Sequence, residues 1–259
     1  MPKHSYVFKA VNRALGQALH RYDMIQHGDR ILVGLSGGKD SLTLMWFLHE
    51  RLKRVPIEYE LIAVHIDPGF EGGFDRSLEA YCRQNGYRFS IEYTDYGIQG
   101  HGPNNRENPC FLCARLRRKK LFEMAEGLGC NKVALGHNKD DIIETLFLNM
   151  CYAGEISTMV PSQSYFGNKF RLIRPLAFVD EATIARFARE NDFPEFVNPC
   201  PTAQVSKRRE IKTLLQQLYA ANKKVKGNIF RALSHVKMDY LLAHKQKPRI
   251  STTRDREVG

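Results

Sequence analysis

Short apolar runs alternate with amphipathic segments along the first 180 residues of the chain. Four of these runs have the length and composition of buried strands, at 30–35, 60–66, 87–93 and 131–136. Apolar residues recur at helical spacing in the segments that follow, at 41–54, 73–85, 114–127 and 138–150. Strands that alternate with helices predict a doubly wound α/β fold, in which a parallel sheet is covered on both faces.

The pattern differs toward the two ends of the chain. Residues 5–26 predict an amphipathic helix, and 171–174 predict one more short strand before a turn. Asp180 has the position of an N-cap for a helix that runs through Arg189, and 206–245 predict two basic helices. We therefore expect three regions: an N-terminal helix (1–27), an α/β domain (28–180) and a helical, basic C-terminal region (181–259).

A glycine-rich turn joins the first predicted strand to the helix that follows it. Backbone N–H groups and a helix N-terminus converge at such a turn, which suits a phosphate group. The turn differs from the Walker pattern, which has four residues between its first Gly and Gly-Lys-Ser/Thr. An ordinary tight turn is the simpler interpretation, but the run is too specific for it. The predicted phosphate-binding residues are Ser36, Gly37, Gly38, Lys39, Asp40 and Ser41.

Polar residues also end two of the other strands. Asp67 ends the second strand, and Gly136, His137 and Asn138 follow the fourth. Ligands of parallel α/β sheets bind at the carboxyl ends of the strands. A single cleft is therefore expected to collect these residues together with Ser36.

The overall charge favours a polyanionic partner. The net charge is +11 and the isoelectric point about 9.4, which is most simply explained by binding to nucleic acid. The basic residues form three clusters: 115–120, 207–212 and 223–226. No apolar run approaches the roughly 18 residues of a membrane span, and residues 1–5 lack a secretory pattern. We therefore expect a cytoplasmic protein that does not enter a membrane.

Three of the six cysteines form a candidate metal site. Cys110 and Cys113 are spaced as Cys-x-x-Cys before a basic helix, and Cys200 precedes another. Three thiolates leave one coordination position open, as a reactive metal centre requires. The alternatives are a small structural zinc site completed by His101 or His137, and a redox pair, which suits the strand order less well.

The remaining cysteines lie in apolar or helical patterns. Because free cysteine is commonly buried, we expect Cys82, Cys130 and Cys151 to be core residues.

These motifs resemble a known family. Residues 36–41 resemble the pyrophosphate loop of the PP-loop ATP pyrophosphatases, and 136–141 resemble the second signature of their tRNA-thiolating members. The Cys-x-x-Cys pair with a basic segment behind it, and the distant Cys200, resemble the tRNA 2-thiocytidine biosynthesis (TtcA) branch. The resemblance covers roughly residues 5 to 242.

The resemblance implies a fold and a reaction. The fold is a doubly wound parallel sheet of the adenine-nucleotide α-hydrolase-like type with a helical C-terminal extension. ATP adenylates the C2 oxygen of a cytidine in the tRNA anticodon loop, at position 32, and sulfur then replaces that oxygen with release of AMP. Members resemble one another in an oxygen-sensitive [4Fe–4S] cluster on three cysteines, whose fourth iron is free to hold sulfide.

The resemblance also implies roles for particular residues. The cluster ligands are Cys110, Cys113 and Cys200, and the loop 36–41 binds the leaving pyrophosphate. Arg117 has the position of a lysine near the cluster in related uridine-thiolating enzymes. The expected partners are tRNA, ATP, a sulfur donor such as a cysteine desulfurase, and a second copy of the chain in a homodimer.

Further residues are candidates for the nucleotide and its metal. Asp40 and Asp141 are candidates for Mg²⁺, directly or through water. Adenosine is expected against the end of the second strand, from His65 to Asp67, where main-chain groups read adenine in similar proteins. His137 is a candidate contact for phosphate, and a structural histidine is the alternative.

The chain also departs from the family pattern at two places. Pro-Thr-Ala-Gln follows Cys200 in place of the family's Gly-Ser-Gln, and 152–157 is less basic and less glycine-rich than its counterpart. The competing hypotheses are the same thiolation chemistry on another tRNA base or a small metabolite, and a non-catalytic RNA-binding protein with a structural zinc site.

Overall fold

The computed structural model describes residues 5–202 and 206–242. Its strands are β1 (Asp29–Gly34), β2 (Tyr59–Asp67), β3 (Phe89–Tyr93), β4 (Lys132–Ala134), β5 (Ser162–Tyr165) and β6 (Phe170–Ile173). They form one sheet in the order β3-β2-β1-β4-β6-β5. All neighbouring strands are parallel except β5, which pairs antiparallel with β6. The predicted doubly wound α/β fold is confirmed.

Helices cover both faces of this sheet and continue beyond it. They are α1 (Tyr6–Arg21), α2 (Lys39–Leu52), α3 (Asp75–Gln84), α4 (Tyr96–His101), α5 (Pro109–Gly127), α6 (Lys139–Leu148), α7 (Glu181–Glu190), α8 (Lys207–Ala221) and α9 (Val225–Ala232). A π-helical turn (Asn149–Ala153) follows α6, and a 3₁₀ turn (Met238–Tyr240) follows α9. No helix in the described part of the chain is long and apolar enough to cross a membrane.

The two faces of the sheet support separate apolar clusters. Ile31 and Val33 of β1 pack with α1, α2 and α7, whereas Leu32 packs with Phe122 of α5 on the other side. Successive side chains of a strand point to opposite faces, so β1 reads as a continuous apolar run because both faces are buried. A third cluster joins Ile143 of α6 to α8 and so fixes the C-terminal helices beside the sheet.

Most predicted elements are present, with shifted ends. The predicted helix at 5–26 ends at Arg21, and the helix predicted from residue 114 begins earlier, at Pro109. Two elements, α4 and β5, were not predicted. Residues 243–245 of the predicted basic helices lie outside the described residues.

The three cysteines outside the candidate metal site differ in burial. Cys82 and Cys130 are buried, as predicted. The prediction for Cys151 is wrong, because this residue is exposed on the π-helical turn. Its neighbours Met150 and Tyr152 are also exposed, so the apolar pattern there does not mark core.

Candidate active site

The phosphate loop (residues 36–41) joins β1 to α2 and is held by its own hydroxyl groups. Ser41 Oγ accepts a hydrogen bond from Ser36 N at 3.2 Å and donates one to Gly38 O at 2.9 Å. Gly38 is the N-cap of α2, so no side chain caps the first amides of this helix. Such N–H groups carry partial positive charge and readily bind an anion.

The local backbone geometry requires glycine at one position within this loop and at one position packed against it. Gly37 has a φ of +77°, a left-handed conformation that glycine adopts without steric cost. A Cβ on Gly136 would lie 2.9 Å from Ser41 N and 3.0 Å from Asp40 C. The turn after β4 therefore packs directly against the start of α2, and only glycine allows that approach.

A cavity of about 320 Å³ opens at the carboxyl ends of β1, β2 and β4. This volume is within the usual range of small-molecule sites. The predicted site residues in its lining are Ser36, Asp40, Ser41, Arg117, Gly136, His137 and Asp141. A cleft at these strand ends thus brings Ser36 together with Gly136 and His137, with α5 as one of its walls, but its lining does not include Asp67 or Asn138.

His137 is neutral in this cavity. Burial lowers its pKa to about 3, and repulsion by Arg174 and Arg208 acts in the same direction. Arg174 Nε lies 3.3 Å from His137 Nδ1 and must be the donor, since a guanidinium group cannot accept. The proton of the neutral ring is therefore on Nε2, where it can be donated to a ligand oxygen.

Asn138 connects the phosphate loop to the start of α6. Its Nδ2 donates to Asp40 Oδ1 at 2.9 Å, while its Oδ1 accepts from the amides of Asp140 and Asp141. Asp141 Oδ2 accepts from Asn138 N, which completes a capping box. Burial raises the pKa of Asp141, and the bonds to Asn138 and Arg208 only partly oppose this.

Lys39 is bonded to two carboxylates. Its Nζ lies 3.1 Å from Asp40 Oδ2 and 3.0 Å from Glu181 Oε1. Burial alone would lower the pKa of Lys39, but attraction by Asp40 and Glu181 outweighs it and raises the pKa. The charge of Lys39 is therefore retained at neutral pH, although the residue is outside the cavity lining.

Part of the positive charge of α8 and α9 faces the protein and not solvent. The ion pairs are Arg208–Asp141 at 3.0 Å, Lys212–Glu181 at 2.6 Å and Lys226–Asp140 at 2.7 Å. Asp140 also accepts a hydrogen bond from Glu181 N at the start of α7. These basic side chains therefore anchor the C-terminal helices to the acidic residues beside the phosphate loop.

The first turns of α5 present two of the predicted cysteine ligands. Asn108 is the N-cap and its Oδ1 accepts from Cys110 N at 3.0 Å and Phe111 N at 3.3 Å. Cys110 is exposed and Cys113 is half-buried. A helix N-terminus stabilises a thiolate, the form of cysteine that binds metal.

Cys200 approaches Cys110 from the loop between α7 and α8. Thr202 Oγ1 lies 3.6 Å from Cys110 Sγ and 3.5 Å from Cys200 Sγ. His101 Nδ1 donates to Gly97 O, so in the neutral ring Nε2 accepts from the Thr202 hydroxyl at 3.0 Å. One hydroxyl group thus brings together segments that are 90 residues apart in the chain.

These three thiols are three of the four cysteine ligands that an iron–sulfur cluster ordinarily has. Among residues 5–202 and 206–242, no three His, Cys, Asp or Glu side chains converge closely enough to hold one metal ion. A cluster of several irons spaces its cysteine sulfurs more widely than a single ion does. The histidines considered for zinc also have other partners: His101 contacts Gly97 and Thr202, and His137 contacts Arg174.

Arg117 connects the cysteines to the cavity. It lies one helical turn after Cys113 on α5, and its positive charge acts on the Cys113 thiol. Burial raises the pKa of the Cys113 thiol, and Arg117 opposes that shift. Because Arg117 also lines the cavity, the phosphate side and the cysteine side adjoin at this residue.

The side chains predicted at the end of β2 have structural partners. His65 is buried with Nδ1 2.7 Å from Leu35 O, and Asp67 Oδ1 accepts from Gly69 N at 2.7 Å. The cavity lining includes Val64 and Ile66 of this strand, and Asp67 is not part of it. Contact between adenosine and the main chain of β2 stays a prediction.

Several polar residues of the site were not predicted. They are Arg118, Glu144, Arg174, Glu181 and Arg208. Arg174 directly follows β6, and the rule that ligands bind at strand carboxyl ends would have indicated it. Glu144 lies three residues after Asp141 on the same face of α6, which is a signal at helical spacing.

A mostly parallel sheet with a Ser-Gly-Gly-Lys-Asp-Ser loop after its first strand is typical of PP-loop proteins, and the PP-loop domain family matches residues 8–219. The tRNA-cytidine(32) 2-sulfurtransferase of Geobacter sulfurreducens is 41% identical over 238 residues, which are 91% of this chain and 93% of the relative. Its counterpart in Geotalea uraniireducens is 38% identical over 244 residues, 93% of this chain and 97% of the relative. The chain therefore belongs to the PP-loop family and, within it, to the tRNA 2-thiocytidine biosynthesis branch.

Solved structures agree with this assignment. The U34-tRNA thiolase NcsA from Methanococcus maripaludis with its [4Fe-4S] cluster superposes with a TM-score of 0.73 and 26% identity, over 89% of this chain and 80% of the other. An NH₃-dependent NAD synthetase from Campylobacter jejuni superposes with a TM-score of 0.51 at 16% identity, over 90% and 93%. The second likeness concerns the fold alone.

Proposed function

We propose that this protein is an ATP-dependent tRNA sulfurtransferase that converts cytidine 32 of the anticodon loop into 2-thiocytidine. The observation that supports it most strongly is the position of Arg117, between a nucleotide-sized cavity and a three-cysteine site. Relatives of nearly equal length bear the name tRNA-cytidine(32) 2-sulfurtransferase. The structurally similar U34-tRNA thiolase holds a [4Fe-4S] cluster.

The phosphate loop serves the first half of the reaction. The C2 oxygen of the cytidine attacks the α-phosphorus of ATP, a bond to AMP forms, and the bond to pyrophosphate breaks. The leaving pyrophosphate gains negative charge, so donors already aimed at it lower the barrier. Gly37, Gly38 and the uncapped start of α2 supply backbone N–H groups, and Ser36 and Ser41 supply hydroxyl groups.

The cysteines serve the second half. Cys110, Cys113 and Cys200 would hold the cluster, which would supply the sulfide for the second step. Sulfur forms a bond to C2, and the bond between C2 and the adenylated oxygen breaks, so that AMP leaves. Arg117 orients the AMP phosphate near the Cys113 thiol. His137 donates from Nε2 to a phosphate oxygen.

Mg²⁺ is proposed beside the phosphate loop. Asp40 and Asp141 line the cavity, and carboxylate oxygens are preferred magnesium ligands. Arg208 already binds Asp141 Oδ1, and Lys39 and Asn138 bind Asp40. We therefore favour contacts through water, which leave these protein contacts in place.

The remaining partners follow from the same assignment. A tRNA substrate fits the net charge of +11, because phosphate contacts supply much of the affinity for nucleic acid. A sulfur donor such as a cysteine desulfurase, a homodimeric state and a cytoplasmic location complete the proposal.

Nucleoside mass analysis of tRNA tests the proposal. Cells that lack the protein should lose 2-thiocytidine, and the wild-type gene should restore it, whereas a Cys200→Ser variant should not. Unchanged 2-thiocytidine in cells without the protein would refute the substrate assignment. Loss of a different thionucleoside would show that the protein acts by the same chemistry on another tRNA base.

A further inference from the structure

Two phenylalanine rings pack directly on the phosphate loop. A methyl group at Gly37 would overlap the ring of Phe74 and lie 3.3 Å from Phe196 Cδ2. The two rings stack on each other with centroids 5.0 Å apart and an angle of 22° between planes. Phe74 also lies 5.2 Å from the His65 ring, which is hydrogen-bonded to Leu35 O immediately before the loop. The phosphate loop therefore packs directly against this aromatic pair.

Phe196 belongs to the loop that carries the third cysteine. Cys200 lies four residues further on, and the residues between them include Val197, which is 82% exposed, and the exposed Asn198. Phe196 is half-buried against the apolar core, so it anchors this otherwise open segment. Phe193, three residues earlier, packs instead on Phe187 and Tyr81, away from the phosphate loop.

We propose that Phe196, stacked on Phe74, is a positioning residue that couples nucleotide binding at the phosphate loop to the position of Cys200. This inference rests on the proposed function, in which the loop binds ATP and Cys200 is a cluster ligand. When phosphate oxygens order Gly37 and Gly38, the aromatic pair transmits that order to the cysteine segment. Binding of ATP therefore restricts the position of Cys200 before sulfur transfer.

The test uses the full-length, iron-free chain and measures the alkylation rate of Cys200 by iodoacetamide with peptide mass analysis. In the wild type, ATP should slow alkylation of Cys200 by about fivefold or more, the usual minimum for coupled sites. Phe196→Leu should reduce the effect of ATP to less than about twofold, because it keeps an apolar side chain but removes the stack. Phe196→Tyr should restore the effect, and the matched control Phe193→Leu should retain it.

Cys151 provides an internal reference, because it is exposed and lies on the π-helical turn. Its alkylation rate should not respond to ATP in any variant. A full effect of ATP on Cys200 in Phe196→Leu would overturn the proposal and would indicate direct shielding by the nucleotide. An absent effect in the wild type would overturn it too. Neither result depends on tRNA thiolation, so failure of the proposed substrate is recognised separately by nucleoside analysis.

In the iron-loaded enzyme the same coupling has a second readout. Release of iron to a chelator, followed by loss of the cluster's visible absorbance, should be slowed by ATP in the wild type and in Phe196→Tyr. Phe196→Leu should release iron at the same rate with and without ATP. Slower release with ATP in that variant would contradict the coupling.

Discussion

The phosphate side and the cysteine side of the site are built in different ways. The phosphate loop is one continuous segment, 36–41, in which the Ser36 and Ser41 hydroxyl groups are hydrogen-bonded to each other and Ser41 Oγ also to the backbone. The cysteine side joins the start of α5 to a loop more than 80 residues away in the chain, through contacts of Thr202. The contacts of the phosphate side lie within one short segment, whereas the cysteine side depends on tertiary contacts and on whatever it binds. Damage to one side should therefore leave the architecture of the other side largely intact, while the coupling of the two through Phe196 is felt when ATP is bound.

The largest expected effect is loss of the cysteine side alone. In Cys200→Ser, metal retention should fall more than about 100-fold, since even loss of a supporting contact costs 10- to 100-fold. ATP affinity should stay within about threefold of the wild type, because the cysteine is outside the cavity lining. Iron analysis of anaerobically purified protein and ATP titration calorimetry measure the two quantities. Cys151→Ser is the control, and parallel loss of ATP binding in Cys200→Ser would contradict the separation.

The converse experiment damages the phosphate side alone. Gly136→Ala places a methyl group 2.9 Å from Ser41 N. Overpacking of this kind costs about 1–3 kcal/mol, so ATP affinity should fall by about 5- to 150-fold if this strain is borne by the binding conformation. Iron content should be unchanged. The matched control is Gly127→Ala, where nothing lies within 4 Å of the added group. Unchanged ATP affinity in Gly136→Ala would show that the packing of the two loops does not govern the site.

Arg117 is the residue whose substitution should affect the phosphate side and the cysteine side together. Arg117→Lys keeps the charge but loses the planar donor set, and it should slow thiolation about tenfold. It should also speed loss of iron to a chelator, since Arg117 favours the thiolate form of Cys113. Arg115→Lys is the control, because Arg115 is exposed and pairs with Glu107. If only the thiolation rate or only the rate of iron loss changed, Arg117 would not connect the two sides.

The smallest effect concerns pH and the carboxylates beside the phosphate loop. Burial raises the pKa of Glu144 from 4.5 to about 7, and repulsion by Asp141 adds to this. The native state therefore retains a proton that the unfolded chain releases, and stability falls as pH rises through about 7. Glu144→Gln lacks the titrating carboxyl group and should not show this loss. The free energy of unfolding of the variant minus that of the wild type should therefore increase by about 2 kcal/mol from about pH 5 to pH 8.

Urea unfolding at several pH values measures this difference. Glu155→Gln is a suitable control, because Glu155 is exposed and lies outside the acidic network. If the free energy of unfolding of Glu144→Gln and that of the wild type changed with pH in the same way, the pKa of Glu144 would not be raised.

The same comparison explains how far sequence reasoning reached. The phosphate loop and β1 to β4 were predictable because their signals are local: an apolar run, a glycine turn and a helix start. Arg174, Glu181 and Arg208 were not predicted, since each reaches the site only through the packing of β6, α7 and α8. Lys39 was predicted as a phosphate contact, but no local signal indicates its ion pair with Glu181, which is 142 residues away.

The exposed Cys151 has a related explanation. Its helical pattern continues from α6, but the chain there leaves the sheet in a π-helical turn that ends at Gly154 in the left-handed conformation. The periodicity of apolar residues does not indicate whether the end of a helix is still covered by the rest of the protein. The stacking of Phe196 on Phe74 was likewise invisible, because it joins two loops that have no periodic pattern.

The central claim is that one enzyme activates an oxygen with ATP and replaces it with sulfur on the same tRNA base. The most direct measurement uses iron-loaded protein, ATP, sulfide and tRNA from cells that lack the protein. AMP, pyrophosphate and 2-thiocytidine should form in equal amounts, and none should form without tRNA. AMP release that is independent of tRNA, or sulfur incorporation without AMP, would contradict the account.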